Sequence, residues 1–450
     1  MANIVSYARE NLKGFSEQPF SDVDSLLFSA LIYLHLEAVP TLQPGGECSL
    51  RDLWQAEYFT GMLNGVGRRD EKLELLATMC ASPRYRNMRV HGYETVLEKE
   101  DGIQFAACTF VCPGDFLYVA YRGTDSSFVG WKEDCRLALT ESIPAQKRAR
   151  AYLERVAGEL SGVIYVGGHS KGGNLASYAA AMCDEAVQDR IVCAYSHDGP
   201  GFKPEELVRE GFIRMRPRMR KTLPQSSVVG LLFQPEGNCA IIESTGSGLE
   251  QHSPFTWAVE GQDFHYRAGL SKAAEVVYRR VNGWLADMNE QEMNEFIEAL
   301  FEVLENTGVD TLTDLHTDGR KMLPTMWKSL RKTDKEQTKV VLHALALLLV
   351  PDSITDGASE RIGHMVEAIH SHAGDVADFA VDKAGIVKDK AVDVAAVAKD
   401  KAGDVADKAK VIAGGVLTKA REVAGEIAST VKEKAMEAVE AIEETEEKEQ

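Results

Sequence analysis

Apolar residues recur at helical spacing near the start of the chain and at strand spacing in its middle. Residues 1–92 are mainly helical in pattern, and Ser21 or Asp22 is placed to cap a helix through DSLLFSALIYLHLE. Residues 93–265 contain short apolar runs punctuated by Gly and Pro. Residues 266–350 return to helical stripes, which are typical of a bundle packed on a neighbouring domain. The pattern predicts an α/β unit followed by a helical region.

Short apolar runs in the central zone predict the strands of a sheet. Tyr93–Glu98, Ile103–Val111 and Phe116–Tyr121 are joined by short turn segments, which predicts an antiparallel meander. Val163–Gly167 and Ile191–Tyr195 lie on either side of a helical stretch, the order expected of a βαβ crossover with parallel strands. Together these runs predict a mixed sheet with flanking helices.

Two further apolar runs close the central zone. Val228–Phe233 and Ala240–Glu243 flank the turn-forming sequence PEGN, and we expect them to form a hairpin. The predicted organisation is a helical part at residues 1–92, a sheet core at 93–265, a helical region at 266–350 and a tail at 351–450 that ends in acidic residues.

Residues 378–443 form a tandem repeat of eleven residues. Every unit has Ala at position three and an apolar residue at position ten. This period is about 3.67 residues per turn, and one helix of this length would reach about 100 Å. Its apolar face is Ala and Val, whereas interfacial helices use larger apolar groups. We therefore favour a solvated or self-associating amphipathic helix over one that coats a lipid or granule surface.

Composition narrows the classes of partner and compartment. The 450 residues carry 50 Lys and Arg against 69 Asp and Glu, a net charge of −19, which disfavours nucleic acid. The longest apolar run, Val340–Val350, is too short to cross a bilayer, and the start of the chain lacks a secretion-signal pattern. The eight cysteines form no CxxC pair, which favours buried free thiols over a zinc site. We expect a cytoplasmic protein without a metal or cofactor.

The sharpest chemical signal is the sequence GHSKGG at residues 168–173, which fits the G-x-S-x-G nucleophile elbow. An apolar strand precedes it and the helix-forming run NLASYAAAMC follows it, which is the context that the motif requires. The serine of such an elbow stands on a sharp strand-to-helix turn. The pattern predicts Ser170 as a nucleophile, against the alternative of a Gly-rich turn without one.

A serine nucleophile needs a base and an acid that orients the base. Asp198 follows the next apolar strand, so we expect it beside the elbow, although Asp is also common in a Gly-Pro turn. His252 lies in a late loop and is favoured as the base over His265. His169 and His197 adjoin the site and are interpreted as shaping residues.

An oxyanion hole needs two donors near the developing negative charge. The backbone N–H of Lys171, directly after the nucleophile, is one candidate. Thr124 is the other, because it follows the strand Phe116–Tyr121 and offers both a backbone N–H and a hydroxyl. The alternative is a strand-end turn that binds nothing.

These segments resemble the class 3, fungal-type lipase branch of the α/β-hydrolases. YRGTDSSFVGWKEDC is similar to its oxyanion segment and GHSKGGNLA to its nucleophile segment. SDVDSLLFSALIYL, HDGPGF, LPQSSVVGLL and QHSPFTW more closely resemble an uncharacterised bacterial family, domain of unknown function 2974. The resemblance spans about residues 20–260. It implies an α/β-hydrolase fold and lipase or esterase activity on an acyl ester or lipid. The repeats resemble late-embryogenesis-abundant and phasin-like helices.

One position departs from the lipase pattern. Class 3 lipases carry their acid in a D-I-V-P segment, and the corresponding stretch here begins with Lys221. A lysine does not orient an imidazolium, so either Asp198 supplies the carboxylate from the preceding strand or the triad is incomplete. Two functions therefore stand side by side: a serine hydrolase of acyl esters, and a non-catalytic hydrolase-like scaffold that acts through its tail.

The repeat gives a prediction for the tail. A chain truncated after Pro351 should keep its turnover on a small soluble ester, because no Ser, His or Cys recurs at a fixed repeat position. Only the oligomeric state, or recovery with a lipid or granule fraction, should change. Steady-state kinetics and gel filtration of the two chains make the comparison. A large loss of turnover would show that the tail completes the active site.

Overall fold

The computed structural model describes most of the first 272 residues. The described positions are residues 1–43, 45–98, 103–124, 142–246 and 248–272, together with Ala274, Glu275, Tyr278, Asn282 and Gln291. The helical region expected at 266–350 lies almost entirely outside them, and the repeat at 378–443 lies wholly outside them. The fold below is that of the described residues.

A large mixed sheet forms the centre of this part of the chain. Its strands are β1 (Glu47–Ser49), β2 (Arg89–Glu98), β3 (Ile103–Cys112), β4 (Phe116–Tyr121), β5 (Val163–His169), β6 (Ile191–His197), β7 (Met219–Pro224) and β8 (Asn238–Ile242). A ninth strand at the end of the sheet is Tyr266–Arg267 (β11), while β9 (Val259–Glu260) and β10 (Asp263–Phe264) form a separate pair. The order in the sheet is β1-β2-β3-β4-β5-β6-β7-β8-β11.

The sheet is antiparallel from β1 to β4 and parallel from β4 to β8, and the last strand, β11, pairs antiparallel with β8. β1 to β4 pair antiparallel in succession, with Ala107 opposite Tyr121 in the β3–β4 pair. β4 to β8 are parallel, with Gly168 of β5 level with Ser196 of β6. The predicted meander and the predicted βαβ crossover are both confirmed. The parallel strands place their carboxyl ends at one edge, where α/β proteins bind ligands.

Helices cover both faces of the sheet. They are α1 (Ile4–Glu10), α2 (Asp22–Leu31), α3 (Ala56–Met62), α4 (Arg69–Ala81), α5 (Pro144–Glu159), α6 (Lys171–Met182), α7 (Glu185–Gln188), α8 (Pro204–Leu207) and α9 (Glu210–Met215). Short 3₁₀ segments occur at Leu36–Ala38, Pro40–Leu42, Leu50–Leu53, Arg216–Arg218, Val229–Leu231, Gly248–His252 and Pro254–Thr256. Residues of α1, α2 and α4 share one apolar core with Phe110 and Tyr118, and α5 and α6 share the other with Val119 and Val166.

Two local predictions were wrong because each assigned regular structure to residues that form turns. The helix expected through DSLLFSALIYLHLE begins after the cap residue Ser21 but ends at Leu31. The hairpin expected after β7 does not form, because Val229–Leu231 is a 3₁₀ turn and β8 instead pairs parallel with β7. In both places the apolar residues pack in loops and turns, so their periodicity does not extend the regular element.

The described cysteines are free thiols, as expected. Cys80, Cys108, Cys183 and Cys193 are buried. The expectation of burial is wrong for Cys239, which is exposed. Among the described residues, no helix combines the length and the apolar character that crossing a membrane requires.

A buried ion pair, Asp24–Arg84, links helix α2 to the segment that precedes β2. Arg84 Nε and Nη2 donate to the two carboxylate oxygens of Asp24 at 3.0 and 2.6 Å, and both side chains are wholly buried. Asp24 also accepts from Tyr85 Oη at 2.7 Å and from the backbone N–H of Ser21 at 2.9 Å. Arg84 Nη1 donates to the carbonyl oxygen of Gln18 at 2.9 Å. The pair is therefore fully hydrogen-bonded, which buried charges require.

We predict that Arg84→Met destabilises the protein by about 3–5 kcal/mol, because it leaves the Asp24 carboxylate buried without its counter-charge. Arg89→Met is the matched control, since Arg89 pairs with Glu47 at 2.8 Å on the surface. Its cost should stay within about 1 kcal/mol. Urea unfolding of both variants measures the difference. Equal free energies of unfolding for the two variants would show that the buried pair contributes no more to stability than the surface pair does.

Candidate active site

Ser170 occupies a strained turn between a strand and a helix. β5 ends at His169, α6 begins at Lys171, and Ser170 between them has φ 58° and ψ −135°. A positive φ is uncommon for a residue with a side chain and clusters at functional sites. Its backbone N–H donates to the carbonyl oxygen of His197 at 2.9 Å, and its carbonyl accepts from Gly173 N–H at 2.9 Å. These bonds hold the turn in the conformation that the elbow motif predicts.

Glycines allow the chain to approach itself closely around this turn. A Cβ on Gly168 would collide with the backbone of Gly172, and one on Gly172 would collide with the carbonyl oxygen of Tyr121. A Cβ on Gly123 would lie 3.1 Å from Ser170 Cβ. The end of β4 therefore lies directly against the elbow, and a larger residue at any of these positions would separate them.

Asp198 and His252 meet through a short hydrogen bond. Asp198 Oδ2 lies 2.6 Å from His252 Nδ1, and the carboxylate is fully buried. Asp198 itself has a positive φ of 50° at the end of β6. Its other oxygen accepts from the Ser227 hydroxyl and from Gly230 N–H, the latter at 3.2 Å. The carboxylate is thus aimed at the imidazole rather than bonded within its own Gly-Pro turn.

His169 connects the elbow to the loop that carries His252. His169 Nε2 lies 2.6 Å from the carbonyl oxygen of His252, and the two rings have centroids 4.5 Å apart. A carbonyl only accepts, so Nε2 carries the proton and Nδ1 accepts from Tyr33 Oη at 3.1 Å. Burial, with the neighbouring His252, lowers the pKa of His169 well below its usual value. The neutral ring therefore positions the His252 backbone.

The remaining predicted residues lie around the same turn. Lys171 is buried at the first position of α6, and Thr124 is half-buried three residues beyond the end of β4. The His252 ring is bonded to Asp198, and within the described chain no hydrogen bond links it to the Ser170 hydroxyl. In enzymes without substrate such contacts are often long and tighten on binding.

The alternative base, His265, has other partners. Its ring nitrogens lie 3.2 Å from Glu260 and 3.5 Å from Glu243, at a half-exposed position after β10. His197 is buried below the site, where Nε2 bonds the Ser25 hydroxyl at 2.8 Å and desolvation lowers its pKa to about 3. No group of three or more His, Cys, Asp or Glu side chains in the described ranges is arranged to hold a metal ion.

Lys221 belongs to a buried ion pair beside the acid. Its Nζ donates to Glu236 Oε2 at 3.0 Å and to the carbonyl oxygen of Gly199 at 2.6 Å, next to Asp198. Glu236 Oε1 accepts from the Ser177 hydroxyl at 3.0 Å. The lysine at the usual acid position therefore fixes the backbone on which Asp198 stands. Sequence reasoning missed this role because Glu236 was interpreted only as part of the turn sequence PEGN.

Ser227 and Gly230 were also missed as parts of the site. Both lie in LPQSSVVGLL, the segment from which the wrong hairpin was predicted. A Cβ on Gly230 would collide with the carboxylate of Asp198, so this position requires glycine. The signal available in the sequence was a Ser and a Gly in a segment that follows a strand carboxyl end, where functional groups gather.

One family model matches the part of the chain that contains these residues. The Mbeg1-like family model matches residues 79–302, which contain Ser170, Asp198 and His252. Mbeg1-like is a lipase-like family, so the match indicates a lipase-like hydrolase. No curated protein matches the chain. The likeness to domain of unknown function 2974 and that of the tail to phasin-like helices stay predictions.

The Lys221–Glu236 pair gives a double-variant prediction. Lys221→Met should destabilise the protein by about 3–5 kcal/mol, because the Glu236 carboxylate is left buried and unpaired. Lys221→Met with Glu236→Leu should recover at least half of that loss, since no charge then remains buried. Urea unfolding of wild type, both single variants and the double variant measures the coupling. Additive losses would show that the two side chains do not act as a pair.

Proposed function

We propose that this chain is a serine hydrolase of the lipase or esterase type, built on an α/β-hydrolase fold. Ser170 is the nucleophile, His252 the general base and Asp198 the acid. The observation that supports this best is the 2.6 Å bond between Asp198 Oδ2 and His252 Nδ1, made beside a serine with a strained backbone. Chain order, serine then acid then histidine, is also that of α/β-hydrolases.

The chemistry follows from these positions. Asp198 accepts from His252 Nδ1–H, which leaves Nε2 as the nitrogen that takes a proton. As an ester enters, Nε2 removes the proton of the Ser170 hydroxyl while the oxygen attacks the carbonyl carbon. The protonated imidazole then donates that proton to the leaving alcohol. Water repeats the sequence on the acyl-enzyme, which releases the acid and restores Ser170.

The oxyanion of the tetrahedral intermediate requires donors that are already in place. The backbone N–H of Lys171, at the first position of α6, is directed by the helix towards the elbow. Thr124 supplies the second donor from the end of β4, which Gly123 brings against Ser170 Cβ. Close packing around Gly123 and Gly172 therefore serves the reaction by fixing the distance between the two donors.

The scaffold alternative loses its main support. It rested on Lys221 at the usual acid position, and Lys221 is engaged with Glu236 while Asp198 faces His252. A non-catalytic scaffold has no need for a bonded acid and imidazole next to an elbow. We therefore propose acyl esters as the substrate class.

We expect Ser170→Ala to abolish ester hydrolysis and labelling by a fluorophosphonate probe, because the attacking oxygen is removed. Ser161→Ala is the matched control, since Ser161 is an exposed serine just before β5. It should retain wild-type labelling and turnover on a short-chain 4-nitrophenyl ester. Both variants should melt within a few degrees of wild type. Full labelling of Ser170→Ala would place the nucleophile elsewhere, and an unlabelled wild type would favour the scaffold.

A further inference from the structure

Arg122 is a buried cation at the edge of the proposed active site, and two of its three guanidinium nitrogens have no hydrogen-bond partner among the described residues. It directly follows β4 and is only 6% exposed. Its Nε and Nη1 are buried and make no hydrogen bond within the part of the chain that the structure describes. Leaving a buried guanidinium unbonded is costly, and such groups need a specific explanation. An anionic ligand supplies the missing acceptors.

A second cation, Lys72, lies near Arg122. Lys72 of α4 is half-buried, and its Nζ lies 4.7 Å from the ring centroid of Tyr33. Desolvation and the nearby Arg122 guanidinium lower the pKa of Lys72 to about 8. Two like charges in one partly desolvated region repel each other, and a bound anion would relieve that repulsion.

Two carboxylates of the described chain near this cation pair, Arg122 and Lys72, bond to other residues. Glu37 accepts from Tyr93 Oη at 2.5 Å and contacts His35 Nδ1 at 2.9 Å. Glu71, next to Lys72 in the chain, bonds Arg68 Nη1 at 2.9 Å. Neither acid forms an ion pair with Arg122 or Lys72, so the positive charge of the cation pair stays available.

The cation pair is linked to the nucleophile through Tyr33. The Tyr33 hydroxyl lies 3.1 Å from Nδ1 of His169, the residue before Ser170. A Cβ on Gly123 would collide with that hydroxyl while lying 3.1 Å from Ser170 Cβ. The ring that Lys72 covers and the backbone that follows Arg122 thus meet at the elbow.

We propose that Arg122 and Lys72 form an anion subsite beside Ser170, and that the substrates are esters carrying a phosphate or carboxylate group. The inference rests on the proposed hydrolase function and adds a substrate class to it. The guanidinium has the fork geometry that binds both oxygens of such a group, and Lys72 adds a point charge. A neutral ester would leave Nε and Nη1 of Arg122 buried without an acceptor from the described chain, so the subsite discriminates by charge.

The test compares two soluble esters that differ by one phosphate group, 1-butyrylglycerol and 1-butyrylglycerol 3-phosphate, by release of butyrate. Wild type should prefer the phosphate ester. Lys72→Met and Arg122→Gln should each lower kcat/KM for it roughly 10- to 100-fold, the range of a charged hydrogen bond, with about twofold change for the neutral ester. Arg69→Gln removes an exposed cation from the same helix and should leave both values at wild type.

Several results would overturn the subsite. Equal and measurable turnover of both esters by wild type, or an equal loss on both esters in Lys72→Met, would do so. If Arg122→Gln does not fold, Lys72→Met and the charge-retaining Arg122→Lys carry the comparison, and Arg122→Lys should keep a preference for the phosphate ester. Vesicles of phosphatidylcholine with and without phosphatidate then distinguish the source of the anion. Faster hydrolysis with phosphatidate indicates a lipid headgroup, and turnover only on the soluble ester indicates a free phosphate ester.

A binding measurement separates this inference from the proposed hydrolase function. Inorganic phosphate should raise the melting temperature of Ser170→Ala but not that of Ser170→Ala with Lys72→Met. That result would support the subsite even if wild type hydrolysed neither ester, an outcome that would reject the hydrolase alone. No shift in Ser170→Ala would overturn the subsite even if esters were hydrolysed.

Discussion

The strained backbone at Ser170 is the constraint on which the rest of the site depends. A residue with a side chain holds φ 58° only if its surroundings enforce it. The enforcement comes from the His197 carbonyl, from the first turn of α6, and from glycines that let Tyr121 and Gly172 approach. The same close packing brings the end of β4 to the serine. One backbone conformation thus sets both the direction of the hydroxyl and the position of Thr124 and Lys171, the donors that we propose for the oxyanion.

The acid is held from three directions, and each contributes differently. The segment after β7 supplies the Ser227 hydroxyl and Gly230 N–H, which bond the outer carboxylate oxygen of Asp198. The buried Lys221–Glu236 pair fixes the following backbone at Gly199. The third direction is the His252 ring, whose own loop is bonded through its carbonyl to His169. Because each support comes from a different segment of the chain, the imidazole has little freedom relative to the elbow.

Local patterns in the sequence predicted the elements that depend on neighbouring residues. The meander, the βαβ crossover and the elbow context all follow from periodicity and turn residues within about 40 positions. The ion pairs Asp24–Arg84 and Lys221–Glu236 were not predictable, because their partners are brought together by tertiary packing rather than by regular spacing. The wrong hairpin has the same origin. Val228–Phe233 has strand-like composition, but Gly230 N–H bonds Asp198 and the chain turns there instead.

The central claim is that Ser170 performs nucleophilic attack within this bonded arrangement. Its most direct measurement is peptide mapping by mass spectrometry after the full chain reacts with a small alkyl fluorophosphonate, whose fluoride leaves as the serine oxygen bonds to phosphorus. The account predicts a single adduct on the peptide containing Ser170, formed in stoichiometric amount and absent after prior unfolding in urea. An adduct on another residue, or reaction that survives unfolding, would contradict the claim, because reactivity would then not depend on the folded elbow.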